Sequence, residues 1–314
     1  MSGILTLSFE IELAWGHHDL GGSDEQLISD RRKIETDTLE RLLAICDELE
    51  LPISFDIVGH LLEESCDGHH EGPHPPDWFS ADPGTDVEKD PKFYAPDLVN
   101  MIRDSETDHE ICTHSYSHIR GDVPPDVVEW ELTTATDLWE RHGLSTPISY
   151  VPPRHESVTY EELRKAGIEV VRTPINGLKL EGSPVRSYLQ RHRQSIPDHP
   201  PRRRRGLVET YCTPYPTLSS PALPNGQRPP PRMLQTIPRR VRQRLHRQWL
   251  KRQTRRAIDC DGHLHLWTHL YNVSNDAQSK PLFEYLRFLA KRDDEGEVDV
   301  NPMRDLVPSQ ASSD

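Results

Sequence analysis

Three separated stretches of this 314-residue chain carry side chains whose types and spacing suit chemistry. Glu10 and Glu12 stand two apart at the end of the apolar run 4–9. On an extended strand they share a face, and they repel unless a cation or a proton lies between them. His114 and His118, in the segment HEICTHSYSH at 109–118, are spaced i, i+4. A helical or turn-like exit from a short strand at Ile111 and Cys112 brings both imidazoles to one side. His263, His265 and His269 sit at alternate positions of GHLHLWTH and share one strand face, which suggests a polar pocket. Neutral imidazole is the commonest protein ligand for a divalent transition metal, so two histidines and a carboxylate, with a fourth position left to water, suit zinc or a related ion. Such a set supports metal-assisted hydrolysis, with a spare carboxylate as base and a spare histidine as acid. Each stretch also has a plainer reading: a solvated edge strand, two unrelated histidines, and core histidines.

To bring these groups together, several strands must end at one side of the molecule. Leu39, Leu42, Leu43, Cys46 and Leu49 give a helical stripe, and 53–58 reads as the next strand. An amphipathic run at 96–102 precedes the histidine motif. Pro124-Pro125 opens a helix with Trp130, Leu138 and Trp139, and a strand at 148–151 leads into Arg154. A helix at 160–166, a strand at 168–171, strand character at 206–211 and a helix at 282–290 continue the alternation. Strand alternating with helix predicts a parallel α/β sheet, doubly wound or closed into a barrel, with sites at the C-terminal ends of the strands. Trp15 and His17, just beyond the first strand, are candidates to line the substrate pocket. Residues 65–92, rich in Pro, Gly and His, read as a long loop over one end of the sheet, a lid or substrate wall, with His69, His70 and His74 read as solvated loop histidines in preference to ligands of an adventitious metal.

The formal charge of −14 hides an asymmetry. Residues 186–256 hold only Asp198 and Glu209 against a run of arginines, so the rest of the chain is strongly acidic and Lys-poor, as a salt-adapted host would favour. The proline-rich stretches HPPRRRR and GQRPPPR read as an excursion from the core. The basic helix at 239–256 reads first as a solvated helix that packs through Val241, Leu245 and Trp249. Contact with an anionic substrate, nucleic acid or acidic lipid headgroups is the functional alternative, with nucleic acid disfavoured because arginine is the general cation of this chain. Five cysteines without CxxC spacing argue against a disulfide framework or a zinc ribbon and fit a reducing compartment. The N-terminus reads as a strand, not a signal peptide, and no window is long and apolar enough for a membrane span, so a cytoplasmic protein is expected.

Over roughly 4–175 and 260–273 the sequence resembles the polysaccharide deacetylases, carbohydrate esterase family 4. HSYSH (114–118) matches the HxxxH metal motif of that family, and SFEIE (8–12) is similar to the SFDVE variant of its first motif. SYVPPR (149–154) resembles the strand that bears its arginine, and LHLW (264–267) resembles its last motif. The resemblance implies a distorted (β/α) barrel of about seven parallel strands. It implies Glu12, His114 and His118 as ligands of a divalent metal, with Glu10 as base, His265 as general acid and Arg154 as the catalytic arginine. Trp15, His17 and His269 would then face the substrate. The implied reaction removes an acetyl group, N-acetyl in preference to O-acetyl, from a carbohydrate or glycan precursor. Three departures accompany the match: Glu10 stands where Asp is usual, Arg154 is displaced from the place now held by Val151, and the aspartate that tunes the acid histidine has no clear counterpart. A hydrolase of a non-sugar amide, an impaired carbohydrate-binding homologue and a nucleic-acid-binding basic arm are the alternatives. The expected organisation is a barrel in two parts, 1–182 and 259–305, interrupted by an Arg/Pro-rich excursion at 183–258 and followed by a disordered tail at 306–314.

Overall fold

The computed structural model describes residues 2–20, 27–175 and 199–307. Nine strands are present among the described residues: β1 (Gly3–Ile11), β2 (Ser54–Ile57), β3 (Glu110–Thr113), β4 (Ser149–Tyr150), β5 (Val170–Pro174), β6 (Arg202–Arg204), β7 (Leu207–Cys212), β8 (His263–His269) and β9 (Val298–Val300). Seven of them, in the order β1, β2, β3, β4, β5, β7, β8, pair in parallel and return to β1. The ring is a closed seven-stranded (β/α) barrel. It is distorted where β4 has only two residues and where β7 meets β8 through the single pair Cys212 and His265. β6 runs antiparallel along β7, and β9 flanks the start of β1.

The sequence of β1 shows how this barrel is filled. Leu5, Leu7, Phe9 and Ile11 belong to the large apolar core, which Leu39, Leu42, Leu43 and Cys46 of α1 (Lys33–Leu49) complete. The intervening Thr6, Ser8 and Glu10 are also buried, but they meet polar partners. Thr6 Oγ1 lies 3.2 Å from His263 Nε2, and Ser8 Oγ lies 3.0 Å from His265 Nε2. Period-two alternation therefore sorts apolar side chains outward against the helices and polar ones into the barrel.

The segment expected to be an excursion contributes a strand to the barrel. β7 is one of its strands, and the arginine run beside HPP forms exposed β6 on its edge, so the proline-rich stretch is not wholly irregular. The basic helix, Arg239–Asp259, buries Arg242, His246, Trp249, Leu250, Gln253 and Ala257. Val241 is exposed and Leu245 half-buried, so the packing stripe differs from the apolar one read in the sequence. Residues 183–198 of that stretch and 308–314 of the tail lie outside the described residues. No described helix is long and apolar enough to cross a membrane.

Candidate active site

Glu12 comes immediately after β1, and the histidine motif leaves β3 through a turn, not a helix. Ser115 and His118 take positive φ values of 59° and 63°, a costly conformation for residues with a side chain, which folds the motif back on itself. His114 Nε2 then lies 3.1 Å from Glu12 Oε1 and His118 Nε2 lies 3.2 Å from the same oxygen, all three side chains being buried. Glu12 can lie there because residue 16 is glycine: a Cβ at Gly16 would come within 2.1 Å of Glu12 Oε2. His114 Nδ1 lies 2.6 Å from the Val151 carbonyl and can only donate to it, so Nε2 presents its lone pair to the carboxylate. Two lone-pair atoms facing each other in the interior are what a bound cation would resolve, so the donor set fits a divalent metal.

Beside this set, His269 Nε2 lies 2.7 Å from Glu10 Oε2 and 3.4 Å from Glu12 Oε1. Arg172, buried on β5, donates through Nη2 to Glu10 Oε1 and through Nη1 to Asp56 at 3.1 Å and Ser8 at 3.0 Å. Its guanidinium also lies 5.0 Å from the Trp267 ring centre. Burial alone would raise both glutamates, but Arg172 and His269 hold Glu10, and His269 and His118 hold Glu12, well below the usual carboxylate range. Burial likewise opposes charge on His269, yet Glu10 and Glu12 together raise its pKa well above that of a free histidine. Asp56 goes the other way. Burial pushes it up to about 7, against the pull of an Arg172 already shared with Glu10.

Several expectations change on this geometry. His265 is fully buried between Ser8 and Thr210, with Thr210 Oγ1 2.9 Å from its Nδ1, and burial lowers its pKa far below that of a free histidine. Both its nitrogens are taken inside the barrel, and His269, four residues further along the same face, is the histidine at the carboxylates. Arg154 does not reach the glutamates: its Nη2 bonds Asp19 and the Gly16 carbonyl. Arg172 holds Glu10 instead. Trp15 is fully buried, its ring 4.3 Å from that of His60, and offers no face to a substrate. His17 is half-buried, its ring 5.5 Å from that of Tyr271, which stacks on His269 at 4.8 Å. His70 and His74 are not solvated: their side chains contact Asp82 and Glu131 at 2.7 Å each, while His69 is exposed. Arg172 could have been noticed as a lone charge within an otherwise apolar strand, Val170-Val171-Arg172.

No protein-family model matches the chain, and no curated protein matches it. Solved structures do. A protein named as a polysaccharide deacetylase from Mycobacterium smegmatis superposes with a TM-score of 0.61 at 14% identity, covering 98% of this chain and 90% of that one. A second, from Pseudomonas aeruginosa PAO1, gives 0.58 at 12% identity over 96% and 89%. The fold is that of the polysaccharide deacetylases. Puue allantoinase shares this deacetylase fold, with a TM-score of 0.56 at 12% identity over 96% of this chain and 88% of that one. At these identities the deacetylase likeness establishes the architecture, and the chemistry has to be argued from the side chains.

Proposed function

We propose that the chain is a divalent-metal-dependent hydrolase that releases acetate from an N-acetylated carbohydrate or glycan precursor. The observation that carries this reading is the convergence of Glu12, His114 and His118 on one point beside the Glu10–His269 pair. Glu12, His114 and His118 would hold the ion, with zinc favoured by two imidazoles and one carboxylate. When bound, the ion polarises the acetyl carbonyl and makes water a stronger nucleophile.

Glu10, kept ionised by Arg172, accepts the proton of the attacking water. His269 carries a proton on Nε2 and gives it to the departing amine nitrogen. The 2.7 Å contact between Glu10 Oε2 and His269 Nε2 lets the first proton replace the second, so amine and acetic acid, which ionises to acetate in solution, leave with the pair restored. Arg172 orients Glu10, and the half-buried His17 is the side chain proposed to meet the sugar ring. All five cysteines are free, which suits a reducing compartment such as the cytoplasm and a nucleotide- or lipid-linked precursor as substrate.

A second reading has one observation behind it. The same fold serves a protein named allantoinase, so hydrolysis of a small cyclic amide by the same residues is the alternative. The test is acetate release from a panel of N-acetylhexosamines, with ring opening of allantoin assayed in parallel, before and after chelation, for wild type and Glu10→Ala. Chelator-sensitive acetate release that Glu10→Ala abolishes supports the proposal. Ring opening alone supports the alternative, and neither activity from metal-loaded protein rejects both.

A further inference from the structure

A second group of donor atoms meets outside the site described above. His60, Cys66, His70 and Asp82 each present one donor, all within 4.8 Å of one another. His60 stands on the short 3-10 turn Gly59–Leu62 after β2, whereas the other three belong to the 65–92 segment, so the cluster ties that segment to the barrel. His70 Nε2 lies 2.7 Å and His60 Nε2 3.2 Å from Asp82 Oδ2, and Cys66 Sγ lies 3.6 Å from His70 Nε2.

The remaining atoms of these side chains are engaged in ways that turn the donors inward. His60 Nδ1 lies 3.4 Å from the Phe93 carbonyl, to which it can only donate, so its lone pair is on Nε2. That Nε2 is buried and makes no hydrogen bond, although it faces the Asp82 oxygen. Asp82 Oδ1 accepts from the Tyr94 hydroxyl at 2.6 Å and from Gly84 N–H at 3.1 Å, leaving Oδ2 to the cluster. Gly68 N–H donates to Cys66 Sγ at 3.3 Å, an arrangement that stabilises a thiolate. It depends on the positive φ of 78° that glycine adopts without strain. The side chains of His60, His70 and Asp82 are almost completely buried.

We propose that His60, Cys66, His70 and Asp82 form a second, structural site for a divalent cation of the zinc type. One thiolate and one carboxylate neutralise the ion, and two neutral imidazoles complete four ligands with no position left for substrate. His60, Asp82 and Cys66 already have the outer partners that metal ligands require, and His70 Nδ1 lies 3.5 Å from the Tyr116 hydroxyl. A thiol must lose its proton to ligate, so binding releases the Cys66 proton and affinity rises with pH. The consequence reaches the first site. The same segment carries Trp78, whose Nε1 donates to Ser117 Oγ at 2.7 Å, and His74, which meets Glu131. Glu131 in turn accepts from Ser117 N–H at 2.8 Å, so the second ion braces the turn that holds His118.

The experiment loads chelated full-length protein with Co(II) and reads both stoichiometry and the near-ultraviolet thiolate-to-cobalt band. Wild type should take one ion per site and show the band. Cys66→Ser should lose the band and one ion, whereas Glu12→Ala should lose one ion and keep the band, which separates this site from the first. Absence of the band, or its survival in Cys66→Ser, overturns the proposal. If Cys66→Ser does not fold, alkylation of wild type mapped by mass decides: zinc should slow labelling of Cys66 by about tenfold or more. Equal labelling with and without zinc overturns the proposal as well.

Discussion

His269 and Glu10 are register neighbours on adjacent parallel strands, and His269 Nε2 lies 2.7 Å from Glu10 Oε2. The same register pairs His265 with Thr6, four residues deeper in the barrel. Depth along β8 therefore separates a histidine that lies at the carboxylates and keeps some exposure from one that is fully buried.

Replacing His269 by Ala should lower kcat for N-acetyl substrates by roughly 10²–10⁴-fold, the usual contribution of a positioned acid. The loss should shrink for an activated acetyl ester whose leaving group needs no proton. His265→Ala should instead cost stability, about 1–3 kcal/mol for each buried partner left unsatisfied. Leaving-group dependence of kcat and urea unfolding of both variants separate the two roles.

Arg172 binds Glu10, Asp56 and Ser8 while fully buried, so Arg172→Met leaves buried carboxylates without their cation. Breaking such a cluster costs about 3–5 kcal/mol, and activity should fall with it because Glu10 loses its orientation. Arg154→Ala removes a partly exposed ion pair with Asp19 and should cost at most about 1 kcal/mol. Equal effects of the two substitutions on unfolding and on kcat would contradict this division of roles.

Asp56 gives a pH dependence of stability. Its folded-state pKa is pushed up to about 7, so between pH 4 and that value the folded protein holds a proton that the unfolded chain releases. The contribution is full below pH 4 and is lost as the pH rises through about 7. Asp56→Asn removes this term, so relative to wild type it should gain up to about 4 kcal/mol between pH 4 and pH 8. Parallel stability curves for the two proteins would show that Asp56 is not held protonated.

Trp15→Ala should act as a core truncation, about 3–5 kcal/mol, with KM unchanged in the protein that remains folded. His17→Ala should leave stability nearly unaltered and raise KM. Unfolding midpoints and KM values for the pair test which of these residues lines the pocket.

The parallel sheet was legible in the alternation of strand and helix, whereas its closure into a barrel and the grouping of Glu12 with His114 and His118 were implied by the motif resemblance, since spacing does not tell which strands lie side by side. Depth was not legible, since it comes from pairing with a distant strand, and His265 was preferred over His269 for want of it. Arg172 escaped because the acids that neutralise it, Glu10 and Asp56, come from other strands. Trp15 was misplaced because the 3-10 segment Leu13–Leu20 turns it inward. The basic helix was misread because its buried face includes Arg242, whose Nε bonds the Ile237 carbonyl at 2.9 Å, and apolarity does not mark such a face.

The most direct test of the central claim is the zinc content of purified, reconstituted wild type against Glu12→Ala, with foldedness checked by circular dichroism. If Glu12, His114 and His118 grip one ion, the variant should hold one zinc fewer per chain and His114→Ala should match it. A Glu12→Ala protein that retains the full wild-type content would contradict the account.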